Sequence, residues 1–199
     1  MALLKSLFAI VFLWFTFAAA QSVAGQFTLT IYQPSSALHG QIVNAAGEAF
    51  HLGGSPASYC PLTNLTLCPA GNQTIFAGMG AMFVEVPGGQ EVYTTSAGAI
   101  SYTQAHSASI PPNAYIGDFT NVTVMDNYSA PVYLVNWQAP QTVNSTKGIL
   151  ACPQVAPGNS TTVVYQVYAN TPAFNQTNCT LVDGLLPHYT PPGVIGAWE

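Results

Sequence analysis

Two carboxylates, Glu85 and Glu91, flank the turn Pro87-Gly88-Gly89, and a hairpin closing there would set them face to face. Glycoside hydrolysis needs such a pair about 5–10 Å apart, one to give a proton and one to attack or to activate water. The neighbours favour a plainer role. In Val84-Glu85-Val86 and Glu91-Val92 each glutamate takes the polar place of an alternating strand, where a residue faces solvent. No Gly-x-Ser-x-Gly elbow occurs, and Gly53-Gly54-Ser55-Pro56 carries a proline where that motif needs a different geometry. His106 and Ser107 are adjacent, so on a strand they point to opposite faces and form no dyad. His39, His51, His106 and His188 lie far apart, without His-x-His or His-x-x-x-His spacing for a metal. The chain has no arginine, the usual clamp for anionic substrates. Trp137, Trp198 and the ten tyrosines could build a platform on which sugars stack, although aromatics in β proteins are more often core. The expectation is a protein with no catalytic residues, no metal and no cofactor.

Cysteine carries the remaining chemistry. Cys60, Cys68, Cys152 and Cys179 make an even set without a Cys-x-x-Cys, which in an oxidising compartment reads as two disulfides. Of three possible connectivities the local one, Cys60–Cys68 with Cys152–Cys179, is preferred. The start of the chain supplies the compartment. A short segment with Lys5 precedes an apolar run from Leu7 to Phe17, and the small residues Ala18-Ala19-Ala20 follow. This is the layout of a secretory signal peptide over residues 1–20, and its apolar run is too short for a membrane span of about 20 residues.

Charged residues are 5% of the chain, the formal net charge is −5, and past the leader Lys147 is the one basic side chain. Such a surface cannot neutralise phosphates, so nucleic acid is excluded as a partner, and for the same reason binding to an anionic membrane surface is not expected. Solubility must come from another source. Eight Asn-x-Ser/Thr acceptors supply it, at Asn64, Asn72, Asn121, Asn127, Asn144, Asn159, Asn175 and Asn178. N-linked sugar at these sites would take the place of charge. Asn178 is the weakest acceptor, because Cys179 beside it bonds early.

The elements that position these residues are short strands. After residue 20, Gly, Pro and Asn cut the chain every ten or so residues into runs rich in Val, Ile, Thr, Tyr and Phe. Gln26–Tyr32 alternates with period two, as a half-buried strand does. Ala45-Ala46-Gly47 reads as a hairpin turn, and Met82–Val86 and Glu91–Thr95 read as strands on either side of Pro87-Gly88-Gly89. Further strands are expected at 99–103, 121–125, 132–137, 148–152 and 161–168, and a closing strand at 194–198. The pattern predicts one all-β domain over 21–199, an antiparallel sandwich or barrel. Weak likeness among 44–53, 89–104 and 147–169, each a glycine turn leading to an aromatic-bearing strand, makes a threefold β-trefoil the alternative.

Several runs resemble the fungal cell wall protein PhiA family. They are Val43-Asn-Ala-Ala-Gly-Glu-Ala-Phe-His-Leu-Gly-Gly54, Tyr59-Cys-Pro61, Cys68-Pro-Ala-Gly71 and Val86-Pro-Gly-Gly-Gln-Glu-Val-Tyr93. Tyr102-Thr-Gln-Ala-His-Ser-Ala108 is the most specific, and Ala151-Cys-Pro153, Val164-Tyr-Gln-Val-Tyr168, Cys179 and Gly196-Ala-Trp198 follow in the same order. The resemblance implies a secreted, wall-associated glycoprotein of filamentous ascomycetes, tied to phialide and conidium formation and so to sporulation, with wall polysaccharide or other wall proteins as partners. It carries no catalytic residues. The segment from Cys152 to Cys179 is also distantly similar to the C-terminal domain of Pir-type yeast wall proteins, but the glutamine-rich repeat that links those proteins to glucan is missing. Without an apolar tail, no GPI or other membrane anchor is expected. The other readings are a secreted module that binds glycan or a small ligand, and a wall glycoside hydrolase built on Glu85 and Glu91.

Overall fold

The computed structural model describes residues 25–58, 63–68, 71–85, 88–140, 146–155 and 163–191. The expected leader and the closing strand at 194–198 lie outside these residues. The strands are β1 (Gln26–Tyr32), β2 (Val43–Ala46), β3 (Ala49–Leu52), β4 (Phe76–Ala77), β5 (Ala81–Met82), β6 (Gln90–Thr94) and β7 (Ile100–Tyr102). Then come β8 (Phe119–Met125), β9 (Pro131–Trp137), β10 (Ile149–Val155), β11 (Val163–Ala169), β12 (Thr180–Val182) and β13 (Gly184–Tyr189). Among the described residues the helical content is one 3-10 turn, Leu65–Leu67, and no helix is long and apolar enough to cross a membrane.

All pairings are antiparallel and join in one ladder, in the order β12-β10-β11-β3-β7-β6-β5-β4-β1-β13-β9-β8, with β2 paired to β3. The all-β antiparallel expectation therefore holds. The barrel does not: β12 and β8 stand at the two ends of the order, so among the described residues the ladder does not close. The three segments alike in sequence become the hairpins β2–β3, β6–β7 and β10–β11. They meet around β3, whose Ala49 pairs with Ser101 of β7 and whose Leu52 pairs with Tyr165 of β11.

Local chemistry explains where strands turn. The β2–β3 turn is Gly47-Glu48 rather than Ala45-Ala46-Gly47, and both turn residues have positive φ, 59° each. A two-residue hairpin needs that conformation to match the twist of its strands. Alternation on β1 places Phe27, Leu29 and Ile31 in the core, each 0% exposed. β12 and β13 escaped the sequence reading because Gly184 and Pro187 interrupt their apolar runs. Proline is normally confined to sheet edges or strand ends, yet Pro187 lies in β13 between β1 and β9.

Four rings link the central strands. Phe50 of β3 lies 5.3 Å from both Tyr102 of β7 and Phe76 of β4, and Phe76 lies 5.9 Å from Phe27 of β1. Gly98 closes a second contact, where the Ala169 amide donates to the Gly98 carbonyl at 2.8 Å. A Cβ on Gly98, at φ +95°, would sit 2.4 Å from the Ala169 carbonyl oxygen. Gly40, at φ +76°, has open space around the same position. G40A is expected to cost only the left-handed strain, about 1–2 kcal/mol. G98A should cost at least ~3 kcal/mol, because backbone must also move. Urea unfolding of the two variants checks this, and equal losses would contradict the packing described here.

Candidate functional site

The two glutamates do not meet as a cross-strand pair. β5 ends at Met82, and the register sets Glu91 opposite Ala81, with Gln90 opposite Met82. Glu85 lies beyond the strand, and both carboxylates are exposed. The histidines are likewise separate. Gln33 donates its amide to His39 Nδ1 at 3.2 Å, and the His39 ring packs edge-on to Tyr32. His188 Nε2 is 2.8 Å from Thr30 Oγ1, and His106 is an exposed turn residue with φ 60°. His51 is half-buried on β3, between Asn44 of β2 and Gln166 of β11. No group of three or more His, Cys, Asp or Glu side chains stands ready for a metal among the described residues.

Cys152 and Cys179 are bonded, with S–S 2.05 Å and Cα atoms 4.1 Å apart. Cys152 is buried on β10 and Cys179 directly precedes β12, so the bond staples the end of the ladder. Cys68 is disulfide-bonded too, and its expected partner Cys60 lies outside the described residues. Six acceptor asparagines fall within them: Asn64, Asn72, Asn121, Asn127, Asn175 and Asn178, all exposed. Asn144 and Asn159 fall outside.

The run Thr103-Gln104-Ala105-His106-Ser107 works as a corner brace. The buried Thr103 accepts the Glu91 amide at its hydroxyl, 2.9 Å, and the Gln90 side-chain amide at its carbonyl, 3.0 Å. Gln104 Nε2 donates to the carboxylate of Glu48, in the β2–β3 turn. The run therefore locks the β6–β7 hairpin to β2–β3, which gives it a structural role.

Sequence reasoning missed a groove between β9 and β13. The ladder between these strands registers the single pair Leu185–Val135 among the described residues. The reason lies in Pro187. Thr190 donates its amide to the Gln26 carbonyl, so even-numbered amides of β13 face β1. By alternation the place of the missing Pro187 amide faces β9, where proline has no hydrogen to give. Beyond Leu185 the strands leave an open groove of about 650 Å³. Tyr133 and Tyr189 line it and stay exposed, at 67% and 64%. Asn121 and Thr123 contribute polar groups, and no carboxylate, imidazole or amine lines it. The arrangement suits a neutral, hydroxyl-rich ligand that stacks on rings. The only sequence signal was Pro187 inside an apolar run.

Disulfide bonding and exposed acceptor asparagines define a class, the secreted all-β protein of an oxidising compartment. The chain belongs to the family described as PhiA-like secreted protein, whose model matches residues 27–194. It is also 42% identical over 128 residues to a protein of the fungus Arthroderma benhamiae described as an "Uncharacterized secreted protein". That match covers 64% of this chain and 59% of the relative's length. No solved structure matches the chain.

The setting of His51 has a consequence in solution. Burial lowers the pKa of its ring below the ordinary 6.5, outweighing the opposing effect of its Ala46 backbone hydrogen bond. The fold thus favours the neutral ring, while the unfolded chain binds a proton near pH 6.5. Stability from this group is present above pH 6.5 and lost as pH falls from there toward the folded value. Thermal unfolding should show a midpoint that drops between pH 7 and pH 5.5 in the wild type. In H51Q that part of the drop should be absent, and an unchanged pH profile would refute the assignment.

Proposed function

We propose that this protein is a glycosylated component of the fungal cell wall, serving the asexual structures that form phialides and conidia, and that it acts without catalysis. The observation that carries the reading is membership of the PhiA-like secreted family along nearly the whole fold. The charge-poor composition supports it, since a surface with few ions suits packing among neutral polysaccharides and other wall proteins. The exposed acceptor asparagines support glycosylation, with sugar keeping the chain hydrated where side-chain charge is scarce. Wall polysaccharide and neighbouring wall proteins are its partners in this reading.

Fractionating the producing fungus into medium, detergent extract, reducing extract and alkali-resistant wall tests the location. An antibody should find most of the protein in the wall fractions, and recovery from the medium alone would overturn the proposal. The non-catalytic part has its own test. E85Q, E91Q and the double variant should match the wild type in folding, wall retention and sporulation, with rates of wall-polysaccharide breakdown at background in all four. Hydrolysis by the wild type that either variant loses would replace this reading with the hydrolase.

A further inference from the structure

We infer that the groove between β9 and β13 is the seat of the protein's own N-linked glycan, carried by Asn121. The inference rests on the glycoprotein reading above and names the site where one glycan is held against the fold.

The acceptor is built into the groove wall. Asn121 and Thr123, the first and third residues of the sequon Asn121-Val122-Thr123, both line the groove. They stand two apart on β8, so their side chains share one face of the sheet. Thr123 is directly opposite Tyr133 on β9, which brings the Tyr133 ring to the same face as the acceptor. Across the gap stand Leu186, Pro187 and Tyr189. A sugar has the matching chemistry: its C–H face stacks on rings and its hydroxyls find amide and hydroxyl partners. No carboxylate, imidazole or amine stands in the lining, so a neutral sugar need not displace the partner of a charged group.

Covalent attachment decides between the protein's own glycan and a diffusing one. A sugar bound to Asn121 Nδ2 is confined beside the groove at an effective concentration in the millimolar range or above, which a free oligosaccharide must match from solution. The linkage forms during secretion, when Nδ2 displaces the lipid diphosphate of an activated oligosaccharide and loses one proton. The volume of about 650 Å³ falls within the range of ligand pockets and admits the first sugars of the chain. Two other acceptors among the described residues, Asn127 and Asn72, have different settings. Asn127 sits in the β8–β9 turn, where Asp126 Oδ1 accepts the amides of Tyr128 and Ala130, each at 2.8 Å. Asn72 borders a smaller hollow of about 180 Å³ with no aromatic ring in its lining.

The test uses the full protein secreted from a fungal host. Glycopeptide mass spectrometry first measures occupancy at Asn121 and Asn127, and an N-glycosidase is then applied to the folded protein. The Asn121 glycan should be released at least about tenfold more slowly than that of Asn127, because seating hides its first sugar. Denaturation should abolish the difference, and so should Y133S, whose exposed site leaves the fold intact. The unfolding midpoint should fall in N121Q and not in N127Q, and Y133S should add little to the loss in N121Q. Equal release rates, or additive losses in the double variant, would overturn the seat while leaving glycosylation in place. An empty Asn121 beside occupied sites would do the same. A secreted protein without any glycan would overturn this inference and the glycoprotein reading together.

Discussion

Four rings in contact, Tyr102, Phe50, Phe76 and Phe27, are what the rest of this fold hangs on. Each comes from a different strand, and the strands are those that join distant parts of the ladder. β3 gathers the three hairpins, while β1 carries β13 and through it β9 and β8. Phe50, Phe76 and Tyr102 are at most 1% exposed, and Phe27 is fully buried. Truncating one such ring typically costs 3–5 kcal/mol, a large share of the 5–15 kcal/mol by which a domain is stable. The corner at Thr103 and Gln104 matters because it keeps two of these strands in place, and that gives the run from Thr103 to Ser107 a physical meaning.

The periphery is held by other means. Strand β12 is short and lies at one end of the ladder, where pairing alone is weak. The Cys152–Cys179 bond, closing a separation of 27 residues, supplies roughly 3–4 kcal/mol through the entropy it removes from the unfolded chain. At the other end β8 and β9 pair along their full length, but their tie to β13 stops at Pro187. The same residue that breaks this ladder opens the groove. A sheet interrupted near its end leaves backbone and apolar surface exposed, and a low-charge protein has few ions with which to shield them.

Much of the fold was legible residue by residue. β1 was readable to its last residue, because period-two alternation of Phe27, Leu29 and Ile31 admits one face only. The β10–β11 and β8–β9 strands were readable from Val, Thr and Tyr content between turn residues. The likeness of three segments was real as hairpins, yet which strands they would meet was not written in it. Legibility failed where a local rule was overridden. Gly184 and Pro187 disguised β13, which the long pairing with β1 stabilises in spite of its proline. Met82–Val86 looked like a strand, but pairing with β4 and β6 uses only Ala81 and Met82, and Glu85 leaves the sheet there.

The sequence by itself determined the all-β class, the oxidised cysteines, the charge-poor surface and the positions where sugar can be attached. These follow from side-chain type, local spacing and composition, which need no knowledge of distant neighbours. Only the tertiary structure decided that Glu85 and Glu91 do not face each other, that the ladder stays open among the described residues, and that Asn121 borders a ring-lined groove. Those are questions of register and of which strand lies beside which. A register shift of one residue turns every side chain to the other face, and partners more than fifty residues apart, such as Tyr133 and Pro187, are brought together only by the packed core.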